Sequence, residues 1–179
     1  MRTSNAIAVF ALCLCFGPLS TAAFAQQRLG MTPSHVYGLW DSINKAVLAL
    51  QMVRDGNDKP AKQLLDMKPK SFENAKAADA LKYVAAFRKQ IDVLRRRADL
   101  PPTRIYKWNP NEEITPSIVF LNSGFALDAL MEWMISETNR DFLISPFYNN
   151  EAFTGKTPGD VASLAELATR RFVWILNNG

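Results

Sequence analysis

The chain has 179 residues, of which 48% are hydrophobic and 21% charged, and its formal net charge at pH 7 is +4. Both cysteines, Cys13 and Cys15, fall in an N-terminal segment that has the features of a signal peptide. The remaining residues, 26–179, are long enough for one hydrophobic core. Because they lack thiols, they exclude disulfides, thiolate metal sites, thioether-linked haem and a cysteine nucleophile.

Residues 1–25 match the pattern of a secretory signal peptide. Arg2 gives a positive start, residues 6–19 are largely apolar, and Ala23-Phe24-Ala25 fits the small-x-small rule for cleavage. The alternative, a membrane anchor, is less favoured because a span needs about 20 apolar residues. The sequence therefore predicts cleavage before Gln26 and a periplasmic or secreted protein.

Proline-containing pairs predict where the helices begin. Thr-Pro stands at residues 32–33, 115–116 and 157–158, and Lys-Pro at 68–69. Threonine is a good N-cap, and proline fits the first helical position because its missing N–H is not needed there. Apolar residues follow each proline at offsets of 3, 14 and 17, which share one face of an α-helix. We therefore predict four helices, each with one core-facing stripe.

Apolar periodicity and turn signals give approximate bounds for these helices. Ser71 is expected to cap the second helix, because lysine replaces threonine in the pair before it. The predicted helices span residues 33–54, 71–97, 116–137 and 158–176. The connection at 99–115 contains Ile105, Tyr106 and Trp108, which favours packing over a loose tether. Residues 139–156 are expected to form a second irregular connection.

These elements predict an all-α, single-domain fold for residues 26–179. Its simplest form is an up-down-up-down four-helix bundle built from two helical hairpins, with helices opened by Thr-Pro or Lys-Pro caps. The similar spacing of the four starts fits duplication of a hairpin or convergent use of one cap.

The third predicted helix is apolar around most of its circumference, which is typical of a helix buried on several sides. It either occupies the centre of the bundle or turns one face toward a partner or a second copy. Asp128 and Glu132, one turn apart, are expected to mark its solvent-facing strip. The candidate partner-binding residues on this helix are Phe120, Leu127, Met131 and Met134.

Charge is divided unevenly along the chain. Residues 26–108 contain 16 Lys or Arg and 8 Asp or Glu, a net of +8, whereas residues 109–179 contain 4 and 9, a net of −5. The two parts neutralise one another within the bundle, or they meet between copies, or a basic cluster binds an anionic surface such as lipid headgroups or a polyanion of the envelope. The candidate residues of this basic cluster are Arg95, Arg96, Arg97, Arg104, Lys107 and Trp108.

The sequence predicts a non-enzymatic binding module with no cofactor or metal, because no nucleophile, base and orienting group converge. Its partner is expected to be an envelope protein, a second copy or an anionic membrane surface. Export argues against nucleic acid. The alternative is a small-ligand sensor with an aromatic pocket between helices. The candidate pocket residues are Trp40, Phe87, Trp133 and Trp174.

Overall fold

The computed structural model describes residues 29–138, 144–149 and 151–178, so the predicted signal peptide lies outside the described residues. Within those ranges the protein is all-helical and contains no strand. A 3₁₀ helix spans Ser145–Tyr148. The α-helices are α1 (Pro33–Asp55), α2 (Lys62–Asp66), α3 (Ala77–Arg97), α4 (Pro116–Thr138) and α5 (Pro158–Asn178).

The four long helices form a bundle in which all of them run in the same direction. α1 packs against α4 and α5, and α3 packs against the same two helices, so α1 and α3 lie diagonally opposite. The first turns of all four helices line one small cavity at one end of the bundle. At the opposite end, Arg54 Nη1 donates to the carbonyl oxygen of Ile175 at 3.1 Å. The long helices are therefore parallel.

The all-α prediction is confirmed, but the up-down-up-down order of two hairpins is not the arrangement of the structure. Consecutive long helices are parallel, and each of the first three is followed by a segment that returns to the starting end. A helix of 21–23 residues is about 33 Å long at about 1.5 Å per residue. The connections at 56–76, 98–115 and 139–157 are long enough to cover that distance, since extended chain spans about 3.3 Å per residue.

Three of the four predicted helix starts are confirmed, at Pro33, Pro116 and Pro158. The second start is wrong, because α3 begins at Ala77 and not near Ser71. The Lys76 N–H donates to the Asp79 carboxylate at 3.0 Å, which satisfies a free donor of the first turn. Lys68 and Pro69 instead lie in the connection that leads to α3.

The true starts of the helices place equivalent residues in common layers. In parallel helices that begin at the same end, residues at the same offset from the helix start lie at the same height along the bundle. The residues at offsets 3, 14 and 17 are all buried. The layers are Val36, Ala80, Val119 and Val161; Val47, Ile91, Leu130 and Phe172; and Leu50, Leu94, Trp133 and Ile175. In this bundle, the repeated spacing from the true helix starts corresponds to stacked layers of buried residues.

The first return segment, residues 56–76, runs back along α5. The Leu64 carbonyl accepts from Arg171 Nε at 3.0 Å, and the Lys68 carbonyl accepts from Arg170 Nη2 at 2.7 Å. Further along, the carbonyl oxygen of Phe72 lies where a Cβ on Gly159 would be placed. The contacts move toward the start of α5 as the segment proceeds, so the segment is antiparallel to that helix.

The second and third return segments behave in the same way. In the second, residues 98–115, the N–H of Thr103 donates to Asp92 of α3 at 2.8 Å, and the N–H of Tyr106 donates to Asn122 of α4 at 3.1 Å. The third, described over 144–149 and 151–157, follows α1. Its Glu151 pairs with Lys45 at 2.6 Å. The predicted packing of the connection at 99–115 is therefore confirmed, since Tyr106 and Trp108 pack against the core.

α4 is the most apolar helix, and its Pro116–Glu137 part is long and apolar enough to cross a membrane, with a mean hydropathy of 1.4. In the structure, 61% of that apolar window is buried inside the bundle. Core helices of water-soluble folds meet the same criteria of length and composition. α4 has two main neighbours, α1 and α3, as each other long helix has two, so it is no more central than the rest; its burial between them accounts for much of its apolar composition.

Candidate functional site

The predicted basic cluster divides into a buried arginine and an exposed surface. The side chain of Arg95 is 3% exposed. It donates to the carbonyl oxygens of Pro101 and Ala129 at 2.7 and 2.9 Å, and to the Glu132 carboxylate at 2.8 Å. These bonds tie α3, the second return segment and α4 together. Arg95 is therefore a structural residue that does not reach a surface partner.

Arg96 and Arg97 are exposed at the end of α3. Neither forms an ion pair with any residue that the structure describes. Cations are favourable near a helix C-terminus, and here four parallel helices present their C-termini to the same end. Helix stability alone accounts for part of this arrangement, but it leaves both guanidinium groups free to meet an anion.

Arg104 and its surroundings bridge two return segments across the outer face of α4. Its Nη2 lies 3.8 Å from Asp128 Oδ2, and its guanidinium is 5.0 Å from the centroid of the Phe125 ring. From the third return segment, the hydroxyl of Tyr148 donates to Asp128 Oδ1 at 2.9 Å. Burial, together with the Asp128 carboxylate, raises the pKa of Tyr148. Arg104 itself stays 74% exposed.

The last two members of the basic cluster differ from each other. Lys107 is exposed and has no ion pair among the described residues. Trp108 is half-buried and packs against the core, so it anchors the second return segment. The exposed cations of the cluster are therefore Arg96, Arg97, Arg104 and Lys107. They extend from the end of α3 along the second return segment toward the start of α4, and we call this set the basic surface.

The apolar candidates on α4 face the interior of their own bundle. Leu127, Met131 and Met134 are at most 1% exposed, and the half-buried Phe120 packs against the core. They are consequently covered and do not offer a contact face. Asp128 and Glu132 keep 38% and 59% of their side chains exposed, which confirms the predicted solvent-facing strip.

The aromatic candidates form a packed core. The ring centroids of Trp40 and Phe87 are 5.4 Å apart, and Phe87 lies 5.4 Å from Phe172, which in turn lies 6.3 Å from Trp133. Trp174 is half-buried at the edge of this core. Phe172, which was not among the pocket candidates, lies between Phe87 and Trp133. These rings therefore fill the region that a ligand would have to enter.

The cavity at the start of the bundle is small and apolar. Its volume is about 10 Å³, and its lining residues come from the first turns of the long helices, for example Pro33 and Val161. A water molecule needs about 10–15 Å³ on the same measure, so this space does not hold an organic ligand.

Neither the lone histidine nor the acidic residues assemble a recognisable metal centre. His35 is exposed in the first turn of α1, and its Nδ1 accepts from the Thr32 N–H at 3.1 Å. This bond makes it part of the helix cap. Within residues 29–138, 144–149 and 151–178, no group of three or more His, Cys, Asp or Glu side chains is placed to hold a metal ion.

The bundle brings the basic and acidic parts of the sequence into contact. α1 and α3 come from the basic part, and each packs against α4 and α5 from the acidic part. The ion pairs that join the two parts are Lys45–Glu151 at 2.6 Å, Lys70–Glu166 at 2.7 Å, Arg95–Glu132 at 2.8 Å and Arg104–Asp128 at 3.8 Å. Internal neutralisation therefore explains much of the charge asymmetry.

The fold and the charges thus define a parallel four-helix bundle with three return segments and an exposed basic surface. Comparison of the chain with protein-family models, curated proteins and solved structures gives no match. The functional argument consequently depends on the chain's own geometry.

Proposed function

We propose that this protein is an exported, non-enzymatic binding module that docks an acidic protein partner of the cell envelope on its basic surface. The observation that carries the proposal is the exposure of three cations, Arg96, Arg97 and Lys107, that have no acidic neighbour to pair with in the described structure. All three are exposed and have no ion pair within the described ranges, although the adjacent Arg95 is fully engaged. Charges of this kind steer a complementary partner and make its binding sensitive to salt.

Export is supported by the signal-peptide pattern of residues 1–25. A macromolecular partner is favoured over a small ligand because the helices are packed against one another through the rings of Trp40, Phe87 and Phe172. The alternative of a sensor with a pocket at Trp40, Phe87, Trp133 and Trp174 would require those rings to separate. No observation in the described structure favours that opening.

An anionic lipid surface would use the same cations. Each lysine or arginine near such a surface contributes about 1 kcal/mol, so four of them would give only weak attachment. Within the described ranges, no amphipathic helix with an exposed apolar face accompanies them, because the apolar faces of α3 and α4 are buried in the bundle. An acidic protein is therefore the better match.

The test compares residues 26–179 with the variant Arg96→Glu/Arg97→Glu. A matched control, Lys59→Glu/Lys62→Glu, makes the same change of charge at two exposed positions that lack ion pairs among the described residues. Each form is used to capture proteins from envelope extract at low salt, and is mixed separately with vesicles of anionic lipid.

We expect the wild type and the control to retain the same acidic protein, and the arginine variant to lose it. Equal capture by all three forms, or capture by none, would contradict the proposal. Vesicle binding that disappears in the arginine variant, without protein capture, would assign the surface to lipid.

A further inference from the structure

The second return segment is extended where it crosses from α3 to α4. The N–H of Thr103 donates to Asp92, 15 residues beyond the start of α3, and the N–H of Tyr106 donates to Asn122, 6 residues beyond the start of α4. Because both helices begin at the same end of the bundle, these acceptors differ in height by about 13 Å at about 1.5 Å per residue. Three residues of extended chain span only about 10 Å, so residues 103–106 join the two levels in extended form.

Part of the backbone in this stretch has no partner within the described chain. Thr103 and Tyr106 are anchored to the helices, whereas Arg104, Ile105 and Lys107 form no backbone hydrogen bond with any residue that the structure describes. All three are exposed. An extended chain with free N–H and C=O groups is a template on which another extended chain adds as a strand. The segment can therefore bind a peptide backbone without losing its own anchors.

The side chains of the stretch are basic on either side of one apolar residue. Ile105 is 48% exposed and lies between the cations Arg104 and Lys107. Arg104 stays 74% exposed although Asp128 lies 3.8 Å away. Residues 100–111 include no aspartate or glutamate, so nothing in the segment itself offsets these charges. Such a surface is complementary to an extended peptide that carries both carboxylates and apolar side chains.

The arginines at the end of α3 indicate the length of peptide that fits. Arg96 is 19 residues beyond the start of its helix, so it lies about 20 Å above the level of Asn122, where Tyr106 is anchored. An extended chain covers that distance with about six residues. A peptide of this length can place carboxylates near Arg96 and Lys107 while its backbone lies beside Ile105.

We propose that the acidic partner presents an extended segment of about six residues, which lies along the second return segment and pairs with the backbone of Ile105 and Lys107. This inference rests on the proposed function, because it specifies how a partner occupies the basic surface. A folded acidic surface or a layer of lipid headgroups would use the cations alone, since neither offers a row of backbone donors and acceptors.

The probes are synthetic hexapeptides in which glutamate alternates with valine, with both ends blocked. A second form is N-methylated at each valine, which removes backbone donors and keeps every charge. Fluorescence anisotropy measures binding to residues 26–179 at low salt, and NMR follows the backbone amides. We expect the parent peptide to shift the amide resonances of Ile105 and Lys107, and the N-methylated form to bind more weakly by about tenfold or more.

Ile105→Pro tests the same backbone contact from the side of the protein. It removes one N–H and leaves every charge in place. Proline restricts the residue before it to extended conformations, which Arg104 already adopts, so the fold should tolerate the change. We expect Ile105→Pro to weaken binding of the parent peptide by about tenfold, whereas the control Ile105→Val, which keeps the N–H and a branched side chain, should bind like the wild type. Circular dichroism verifies that both variants are folded.

Equal binding of the two peptides would overturn this inference, as would failure of the parent peptide to bind or amide shifts confined to other residues. An unchanged affinity of Ile105→Pro would also contradict it. Capture from envelope extract separates the two proposals. An acidic protein that requires Arg96 and Arg97, but is retained equally by Ile105→Pro, would leave the proposed function standing without this inference. Absence of both peptide binding and capture would remove both.

Discussion

Trp40 Nε1 donates a 2.9 Å hydrogen bond to the hydroxyl of Ser123, and each residue is seven positions beyond the first residue of its helix. Both side chains are buried. The bond therefore fixes α1 and α4 in parallel and in the same register, at the level of the aromatic core.

Replacing Ser123 by alanine should lower the free energy of unfolding by about 1–3 kcal/mol, because it leaves a buried indole N–H without an acceptor. Urea unfolding of Ser123→Ala, Trp40→Phe and the double variant measures this effect. We expect the two losses to be less than additive. Full additivity would show that the bond does not couple the helices.

Arg95 should contribute far more to stability than the two arginines that follow it. Arg95→Ala removes donors from the carbonyls of Pro101 and Ala129, and we expect a loss of about 2–4 kcal/mol. Arg96→Ala and Arg97→Ala, as matched controls, should each change stability by no more than about 0.5 kcal/mol. Similar losses in all three would place Arg95 on the surface.

Two helical glycines should respond to alanine in opposite directions. At Gly124, an added Cβ meets nothing within 4 Å, so Gly124→Ala should stabilise α4 by about 0.5–1 kcal/mol. At Gly159, the added Cβ would overlap the carbonyl oxygen of Phe72. Gly159→Ala should therefore destabilise the protein by displacing the first return segment. Thermal unfolding of both variants checks the difference in sign.

Asp160 should make stability depend on acidity. The N–H and hydroxyl of Thr157 donate to its carboxylate, both at 2.8 Å, and these bonds hold its pKa below the ordinary value of 3.8. The pKa of Asp160 is lower in the folded chain than in the unfolded chain. Its contribution to the free energy of unfolding is therefore complete above the unfolded pKa, and it is lost as the pH falls through the folded pKa.

Asp160→Asn should consequently be less stable than the wild type near neutral pH, and the difference should shrink below about pH 3. Urea unfolding across this range measures the trend. A constant difference at every pH would mean that the carboxylate charge is not involved.

Processing of the N-terminus is a separate prediction. Protein recovered from the envelope or medium should begin at Gln26, because Ala23 and Ala25 supply the small residues that cleavage requires. Ala25→Arg should leave the precursor uncleaved. Intact-mass measurement distinguishes the two products, and a mature wild-type chain that retains Met1 would contradict the assignment.

Local chemistry was sufficient to predict most helix bounds but not the direction of the helices. A Thr-Pro cap and an apolar stripe at offsets 3, 14 and 17 specify where a helix begins and which face is buried. A stripe of this kind is compatible with a parallel or an antiparallel neighbour. Direction is decided by what the connections bind, for example Leu64 to Arg171, and such pairs are far apart in the sequence.

The sequence contains a capping pair at the true start of α3, but the Lys-Pro pair at 68–69 led to the wrong prediction of that start. Asp79 follows Lys76 by three residues, just as Asp160 follows Thr157, and both carboxylates accept from the backbone N–H of the capping residue. The run Arg95-Arg96-Arg97 also contained a usable signal. The periodicity of a helix predicts that one of three consecutive residues faces the core. Periodicity does not predict the acceptors of Arg95, because one of them, the carbonyl oxygen of Pro101, belongs to the second return segment.

The pairing of helices also dictates when this chain can fold. The main interfaces of α1 with other long helices are those with α4 and α5, which are the last long helices of the described chain to be synthesised. The contacts between the long helices therefore join distant parts of the sequence, and chains of that kind fold more slowly than bundles of sequential hairpins. α1 and α3 thus remain without their main packing partners until α4 and α5 have been synthesised.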